Sequence, residues 1–237
     1  NDNMRPDELF LACSFFVSST LMLIGWFSRA STAWTGATLF VMYHGYGLYW
    51  EDQPWNEHNV YMLTVAVCLM ALTPCGRSYS MDRYLSVRAG EELEERGPLW
   101  GTRLLGLLPA TSYFWSATDK SSAAFLSGER MEAIFMHNLL GSDYPSFPGF
   151  HELVVLISIG TVVLEFVLPF VLWVYRWQKV FIPLGLMVHA LFYVLIPVKT
   201  FSVLMFVLYI AYLHPESVHR VLGMAGAGDR SRGHPGE

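Results

Sequence analysis

Long, uninterrupted apolar stretches separated by short polar segments are the dominant pattern along this chain. They lack the alternation of apolar and polar positions that the strands of a membrane β-barrel show. Lipid offers no partners for backbone polar groups, so helices are the expected form of such stretches. We therefore predict an all-α, polytopic transmembrane helical bundle of about seven spans. Their approximate limits are Leu9–Phe27, Thr32–Trp50, Val60–Thr73, Leu99–Ala117, Leu153–Tyr175, Val180–Pro197 and Phe201–Leu213.

Composition supports a membrane protein over the alternative of a soluble helical enzyme. Hydrophobic residues make up 53% of the 237 residues and charged residues only 15%, whereas soluble domains carry roughly 25% charged residues. The net charge of -5 and the lack of a basic stripe argue against nucleic acid as a partner. The three cysteines and the histidines show no spacing typical of a metal site, so we predict none.

Charge distribution between the spans predicts the topology. Most of the Arg and Lys residues in the predicted loops fall on one side, which the positive-inside rule assigns to the cytoplasm. The C-terminus is then cytoplasmic, and the loops over residues 51–59 and 119–150 face outward. This topology places the N-terminus outside, and a further helix before Asn1 would account for that position. We expect one helical domain over residues 1–222 and, because it is rich in Gly, Ala and Arg, a disordered cytoplasmic tail over residues 223–237.

Three ionisable candidate residues lie in or beside apolar spans, where charge is costly and function is the default hypothesis. Lys120 ends a span; it could extend to water, pair with Asp119, or act as a partly desolvated base. His189 lies inside the sixth span, where it could be a hydrogen-bonded core residue or a catalytic group. Glu165 lies inside the fifth span, and its role, structural or catalytic, stays open.

The polar loop at residues 51–58 is the second candidate region. Its simplest interpretation is an interfacial turn flanked by aromatic residues. His58, next to Glu57 and Asn56, could equally be a positioned proton donor or base. By the predicted topology, His58, Lys120 and the outward half of the sixth span with His189 share one side of the membrane. We therefore predict one outward-opening pocket that contains all three.

Three motifs resemble the membrane domain of the vitamin K-dependent gamma-glutamyl carboxylases and related bacterial proteins, the HTTM family. The first is the loop from Pro54 to Tyr61, together with a later Ser80-Met81-Asp82. The second combines Tyr113-Phe114, Asp119-Lys120 and the segment Phe125-Leu126-Ser127-Gly128. The third is His189 followed by Phe201-Ser202. Their order and spacing match the family over most of the chain, from about the second span to the last.

The resemblance implies a reaction and a site. Lys120 would be the catalytic base that deprotonates a reduced quinone, and His58 and His189 would be catalytic residues lining the quinone pocket. The implied cofactor is vitamin K hydroquinone or menaquinol, with O2 and CO2 as co-substrates and no metal. Quinol oxygenation to the epoxide would drive carboxylation of glutamate in a peptide or a small substrate. Cofactor-binding residues would be Trp55, Asn56, Glu57, Tyr113 and Phe201.

The resemblance also implies a bacterial inner-membrane protein whose site faces the extracytoplasmic side. Three differences from the family pattern keep other functions open: Asp119 replaces the first of two lysines, Glu57 replaces an asparagine, and no large extracytoplasmic region is present in the sequence. One alternative is a different quinone-dependent oxidation. Another is a non-enzymatic membrane partner in the maturation, immunity or export of a secreted peptide. A transporter would require paired, inverted broken spans, and the sequence shows no such pairing.

Overall fold

The computed structural model of the chain is helical throughout the part that it describes, with no β-strand among those residues. The fold class is therefore confirmed as all-α. The described residues are 6–49, 51, 57–91, 97–141, 145, 148–195, 198–214 and 217–218. The predicted tail at 223–237 lies outside them, and the predicted single domain over residues 1–222 stays a prediction. Within the described residues the chain forms two compact units, residues 1–108 and 109–237.

The described residues contain ten α-helices. The first unit holds α1 (Pro6–Ile24), α2 (Ser28–Met42, continued by π-helical turns over Tyr43–Tyr49), α3 (His58–Met70) and α4 (Met81–Arg88). It also holds the start of α5 (Trp100–Lys120). The second unit holds the rest of α5, then α6 (Ala123–Leu126), α7 (Glu129–Phe135, continued by π-helical turns over Met136–Leu140), α8 (Phe150–Val171), α9 (Tyr175–Leu195) and α10 (Lys199–Leu208, followed by a 3-10 turn at Tyr209–Tyr212).

Each of the seven predicted apolar stretches is largely helical, but seven membrane crossings stay a prediction. Three helical segments are long and apolar enough to cross a membrane by length and composition: Asp7–Ile24, Phe150–Val171 and Tyr175–Val194. His58–Met70 and Lys199–Tyr212 are apolar but shorter. Exposed aromatic and aliphatic side chains cover these helices. Such a surface suits lipid contact, and we treat the protein as an integral membrane protein.

Small side chains pack the helices of the first unit. α2 buries Ser31, Thr35 and Gly36, and the Thr35 hydroxyl donates to the Ser18 hydroxyl of α1 at 3.0 Å. On another face of α2, a Cβ added to Gly36 would lie 3.1 Å from the Cys68 sulfur of α3. Small residues allow helix backbones to approach closely, which is how helices associate where lipid removes the usual hydrophobic driving force.

Asp82, in the Ser80-Met81-Asp82 part of the first motif, has a structural role. Its carboxylate accepts hydrogen bonds from the backbone N–H groups of Phe27 and Ser28 at 2.8 and 2.7 Å, and from the Ser28 hydroxyl at 2.7 Å. The first N–H groups of a helix have no partner within the helix. Asp82, distant in sequence, therefore caps α2 and fastens the α1–α2 turn to the start of α4.

The segment after α5 packs along α8. Phe125 of α6 and Met131 of α7 form a buried cluster with Phe150, Val154 and Val162 of α8. Gly128, with φ of 86°, lies between α6 and α7, and a Cβ added there would lie 3.0 Å from the side chain of Val155. Part of the segment predicted as an outward loop is thus a pair of short helices that share a core with α8; the side of the membrane on which it lies stays a prediction.

Candidate functional site

An ion pair joins the end of α5 to the middle of the second unit. Lys120 Nζ lies 2.7 Å from Oε1 and 2.9 Å from Oε2 of Glu165, and it also donates to the Ser116 hydroxyl one turn earlier on α5. The Lys120 side chain is 25% exposed and the Glu165 side chain 8%. The lysine side chain therefore folds back along its own helix toward a buried carboxylate and does not extend to water.

Glu165 lies well inside an apolar helix. It is 15 residues beyond Phe150 at the start of α8 and 6 residues before Val171 at its end, or about 22 Å and about 9 Å along the helix axis. α8 is a candidate membrane span. Both charges of the pair thus lie within the apolar length of α8, where each would be costly without the other.

One face of α5 carries the polar groups of this region. Tyr113, Ser116 and Lys120 are spaced three and four residues apart, so they lie on the same side of the helix. Ala117, on that side as well, is fully buried. Pro109 lies inside α5 and removes one backbone hydrogen bond a turn before Tyr113. The sequence thus places a lysine, a hydroxyl and a phenol in a single row.

Tyr113 connects this row to a buried hydrogen-bonded chain. Its Oη lies 2.6 Å from Nε2 of His189 on α9 and 2.8 Å from Oη of Tyr209 after α10. The three side chains are 5%, 1% and 2% exposed. His189 Nδ1 is buried and has no hydrogen-bond partner within the described residues. Whichever tautomer the ring adopts, Nδ1 can therefore bind a ligand, as a donor in one tautomer and as an acceptor in the other.

Aromatic rings surround the imidazole of His189. Its ring centroid lies 5.8 Å from that of Phe192, 5.7 Å from Phe201 and 6.5 Å from Phe206, each approached edge to face. Ser202, next to Phe201, is fully buried, and its hydroxyl also lacks a hydrogen-bond partner within the described residues. The region thus combines flat apolar surfaces with two polar atoms that are available to a ligand.

Gly185 sets how closely Tyr209 approaches α9. A Cβ added at Gly185 would lie 2.6 Å from Tyr209 Cζ and closer still to the phenol oxygen. Gly185 is one turn before His189, so the absence of its side chain lets the Tyr209 phenol lie against α9 beside the imidazole. This glycine therefore permits the Tyr113–Tyr209 hydrogen bond.

The ion pair and the hydrogen-bonded chain are joined through α5. Lys120 belongs to the pair and Tyr113 to the chain, and Ser116 lies between them on the same face of the helix. The five side chains therefore form one site in the second unit, which we call the Lys120–His189 site: Tyr113, Lys120, Glu165, His189 and Tyr209.

The predicted residues of the first motif belong to the other compact unit. His58 is the first residue of α3 and is exposed, as is Glu57 immediately before it. Trp55 and Asn56 lie outside the described residues. The convergence of His58 with Lys120 and His189 in one pocket, and the roles of Trp55, Asn56 and Glu57 in binding a cofactor, stay predictions. Tyr113 of the second motif and Phe201 of the third, by contrast, both lie beside His189.

Sequence reasoning missed part of this site. Glu165 was left without a partner and Asp119 was considered as the partner of Lys120, but Asp119 is exposed and Lys120 pairs with Glu165. Glu165 is the only charged residue of α8 beyond the first turn, which was an available signal. Tyr209 and Gly185 carried no signal in the sequence alone, since a tyrosine near a span end is common at membrane interfaces.

Comparison with known proteins gives one match. No curated protein and no solved structure matches the chain. The family model of the HTTM domain matches residues 7–216, a range that includes every residue of the Lys120–His189 site and all three motifs. That family is associated with the vitamin K-dependent carboxylases. A match over this share of the sequence shows that the chain belongs to the HTTM family.

Proposed function

We propose that this protein is a quinol-dependent membrane enzyme that oxygenates a reduced quinone and uses the reaction to carboxylate glutamate. The observation that carries the proposal is the Lys120–Glu165 ion pair at membrane depth, joined through one face of α5 to the buried Tyr113–His189–Tyr209 chain. Membership of the HTTM family supports it. Groups that exchange protons and are held out of water at membrane depth suit a substrate that is itself dissolved in the lipid.

The residues fit the head group of a reduced quinone. Such a head group is a flat ring with a hydroxyl at each end, so it requires aromatic surfaces and a small number of hydrogen-bonding atoms. Phe192, Phe201 and Phe206 around His189 supply the surfaces. His189 Nδ1 and the Ser202 hydroxyl are buried polar atoms that can bind an oxygen of the ring. Vitamin K hydroquinone and menaquinol both have this head group.

Each residue of the site has a task in this scheme. The Lys120–Glu165 pair takes up a proton from the hydroxyl of the bound ring and holds the resulting negative charge. His189 orients the ring, and Tyr113 fixes the imidazole while Tyr209 fixes Tyr113. The bound quinol supplies two electrons to O2 and, through that reaction, a base strong enough to remove a proton from the γ-carbon of glutamate. Exclusion of water by the apolar surroundings protects such a base from being quenched.

The overall reaction balances without a metal. One oxygen atom of O2 enters the quinone as an epoxide and the other leaves as water, while CO2 forms a new carbon–carbon bond to the deprotonated glutamate. The substrate would be a glutamate-containing peptide or a smaller glutamate derivative. The proposed location is the bacterial inner membrane with the site open to the extracytoplasmic side. The first motif adds His58, Trp55, Asn56 and Glu57 as further candidates for quinol binding.

The test uses the full chain in lipid nanodiscs. Reduced menaquinone, O2, labelled bicarbonate and a glutamate-containing peptide are supplied, and mass spectrometry follows label in the peptide. The proposal predicts incorporation by the unmodified protein, loss of incorporation in Lys120→Met, and normal incorporation in Lys179→Met, a basic residue in the first turns of α9. Incorporation of label that persists in Lys120→Met would overturn the proposal. So would the lack of any quinol-dependent oxidation by the unmodified protein, which would favour the non-enzymatic partner.

A further inference from the structure

The hydrogen bonds of Lys120 account for all the hydrogens of an ammonium group. An ammonium has three donors and no acceptor. Lys120 Nζ contacts three acceptors: Oε1 of Glu165, Oε2 of Glu165 and the Ser116 hydroxyl. A neutral amine could make the same three contacts only by accepting from the Ser116 hydroxyl, and it would leave the buried carboxylate of Glu165 without a counter-charge, which is costly at this depth. The geometry thus describes a protonated Lys120 with no lone pair available to accept a proton.

Glu165 is the member of the pair that can accept one. A carboxylate has about four lone-pair sites on its two oxygens. Contacts with Lys120 use one site on each oxygen, and within the described residues no other group donates to them. The Glu165 side chain is 8% exposed, so water competes little for the remaining sites. An unused lone pair of this buried carboxylate is thus a proton acceptor that lies directly beside the ammonium of Lys120.

We propose that Glu165 is the proton acceptor of this site and that Lys120 acts as the cation that holds the substrate oxyanion. This inference rests on the proposed function and assigns the roles within it. The O–H bond of the substrate hydroxyl breaks and an O–H bond forms on a Glu165 oxygen. The negative charge moves from the carboxylate to the substrate oxygen. Lys120 keeps its proton and transfers hydrogen bonds from Glu165 to the new oxyanion.

Charge balance at membrane depth favours this assignment. Before the transfer, the ammonium of Lys120 pairs with the carboxylate; after it, the same ammonium pairs with the substrate oxyanion and Glu165 is neutral. The site therefore has zero net charge in both states. An uncompensated charge at this depth would cost far more than an exchange of one ion-pair partner for another. Ser116 supports Lys120 in both states because its hydrogen bond does not involve the carboxylate.

The test follows the protonation of Glu165 itself, by infrared difference spectroscopy without O2. The full chain in nanodiscs is compared with and without reduced menaquinone, and oxidised menaquinone serves as the ligand control. Reduced menaquinone should produce a new C=O band of a protonated carboxylic acid. That band should vanish in Glu165→Gln, shift but persist in Glu165→Asp, and remain unchanged in Glu152→Gln, an exposed glutamate in the first turn of the same helix.

Turnover provides the second measurement. General acid–base groups contribute typically about 100-fold or more to a rate, so Glu165→Gln should lower quinol oxidation by that factor, and Glu152→Gln should not change it. A band that persists in Glu165→Gln, a missing band in unmodified protein that binds and oxidises the quinol, or wild-type turnover in Glu165→Gln would overturn the inference and leave the proposed function standing. Failure of the unmodified protein to bind reduced menaquinone would overturn both.

Discussion

The ammonium of Lys120 contacts both carboxylate oxygens of Glu165, at 2.7 and 2.9 Å, although 45 residues separate them in sequence. The pair joins the end of α5 to a point about 9 Å from the end of α8. Because a charge of either sign would be expensive there alone, the presence of each residue is explained by the other. Lys120 is therefore not an isolated base but one member of a pair that can exchange protons.

The first prediction concerns the stability of this pair. Lys120→Met leaves the carboxylate of Glu165 without a counter-charge, and Glu165→Gln leaves the ammonium of Lys120 without one. We expect either change alone to lower the free energy of unfolding by about 3 kcal/mol. The double variant removes both and should recover most of that loss. Thermal unfolding in a mild detergent measures it. Additive losses in the double variant would show that the two residues do not stabilise each other.

The second prediction concerns the hydroxyl of Tyr113. Tyr113→Phe removes the atom that bridges His189 and Tyr209 and leaves both polar partners buried without it. We expect a loss of about 1–3 kcal/mol in unfolding free energy, together with weaker binding of reduced menaquinone because the imidazole loses its fixed orientation. Tyr193→Phe, on the same helix as His189 but 42% exposed, is the matched control and should leave the unfolding temperature and quinol binding unchanged. Equal effects of the two substitutions would contradict the role assigned to the bridge.

The third prediction concerns Gly185. A methyl group there would overlap the phenol of Tyr209, so Gly185→Ala should displace Tyr209, break its bond to Tyr113 and cost about 1–3 kcal/mol by overpacking. Gly160→Ala on α8 is the control, since nothing lies within 4 Å of the added carbon. It should stabilise the protein slightly, because alanine favours helix over glycine. The unfolding temperatures of the two variants should therefore shift in opposite directions. An unchanged unfolding temperature in Gly185→Ala would show that the Tyr209 phenol does not pack tightly against Gly185.

The fourth prediction is a dependence on pH at the α2 cap, which lies outside the apolar spans. Partial burial of the Asp82 carboxyl acts to raise its pKa, but hydrogen bonds from Ser28 and Phe27 outweigh it and hold the pKa below the usual 3.8. Because the folded pKa is the lower one, the contribution of Asp82 is fully present above pH 3.8 and is lost as the pH falls through the folded value.

Asp82→Asn tests this contribution. We expect a loss of about 1 kcal/mol at neutral pH, because the amide has one oxygen for the hydrogen bonds that two carboxylate oxygens accept. The difference from the unmodified protein should become smaller as the pH falls below 3.8. Glu91→Gln, an exposed residue after α4, should show neither effect. Unfolding temperatures measured across the pH range give the comparison. A difference that grows toward acid pH would have the wrong sign for this account.

The uninterrupted apolar stretches were sufficient to predict where the longer helices lie, but not the short helices α4, α6 and α7 or how many helices cross the membrane. A span requires an uninterrupted apolar length, and that length can be read directly from residues such as those of Phe150–Val171. α3 and α10 are shorter, and the segment of α6 and α7 packs against α8 through residues such as Phe125. A local hydropathy pattern contains no information about that packing, because the same polar composition suits an open loop and a pair of short helices packed against a longer one.

Only part of the site could be predicted, because some of its residues acquire their roles from contacts between helices. Lys120 and His189 could be named because a charged or polar residue in an apolar stretch is conspicuous, and Tyr113 and Phe201 could be named from the resemblance of their motifs to the family. Tyr209 and Gly185 could not, because their roles arise only when α10 lies against α9. Proximity in sequence makes Asp119 one possible partner of Lys120, but a helix directs adjacent side chains away from each other, and the observed partner is Glu165 on another helix.

The most direct test of the central claim, that the Lys120–Glu165 pair serves the oxygenation of a bound quinol, is an isotope measurement. Reduced menaquinone and ¹⁸O2 are supplied to the full chain in nanodiscs, and mass spectrometry reads the quinone product. The account predicts a quinone epoxide with one ¹⁸O atom, formed by the unmodified protein and by Lys179→Met, but not by Lys120→Met or Glu165→Gln. Labelled epoxide formed equally well by all four proteins, or by none of them while the unmodified protein binds the quinol, would contradict it.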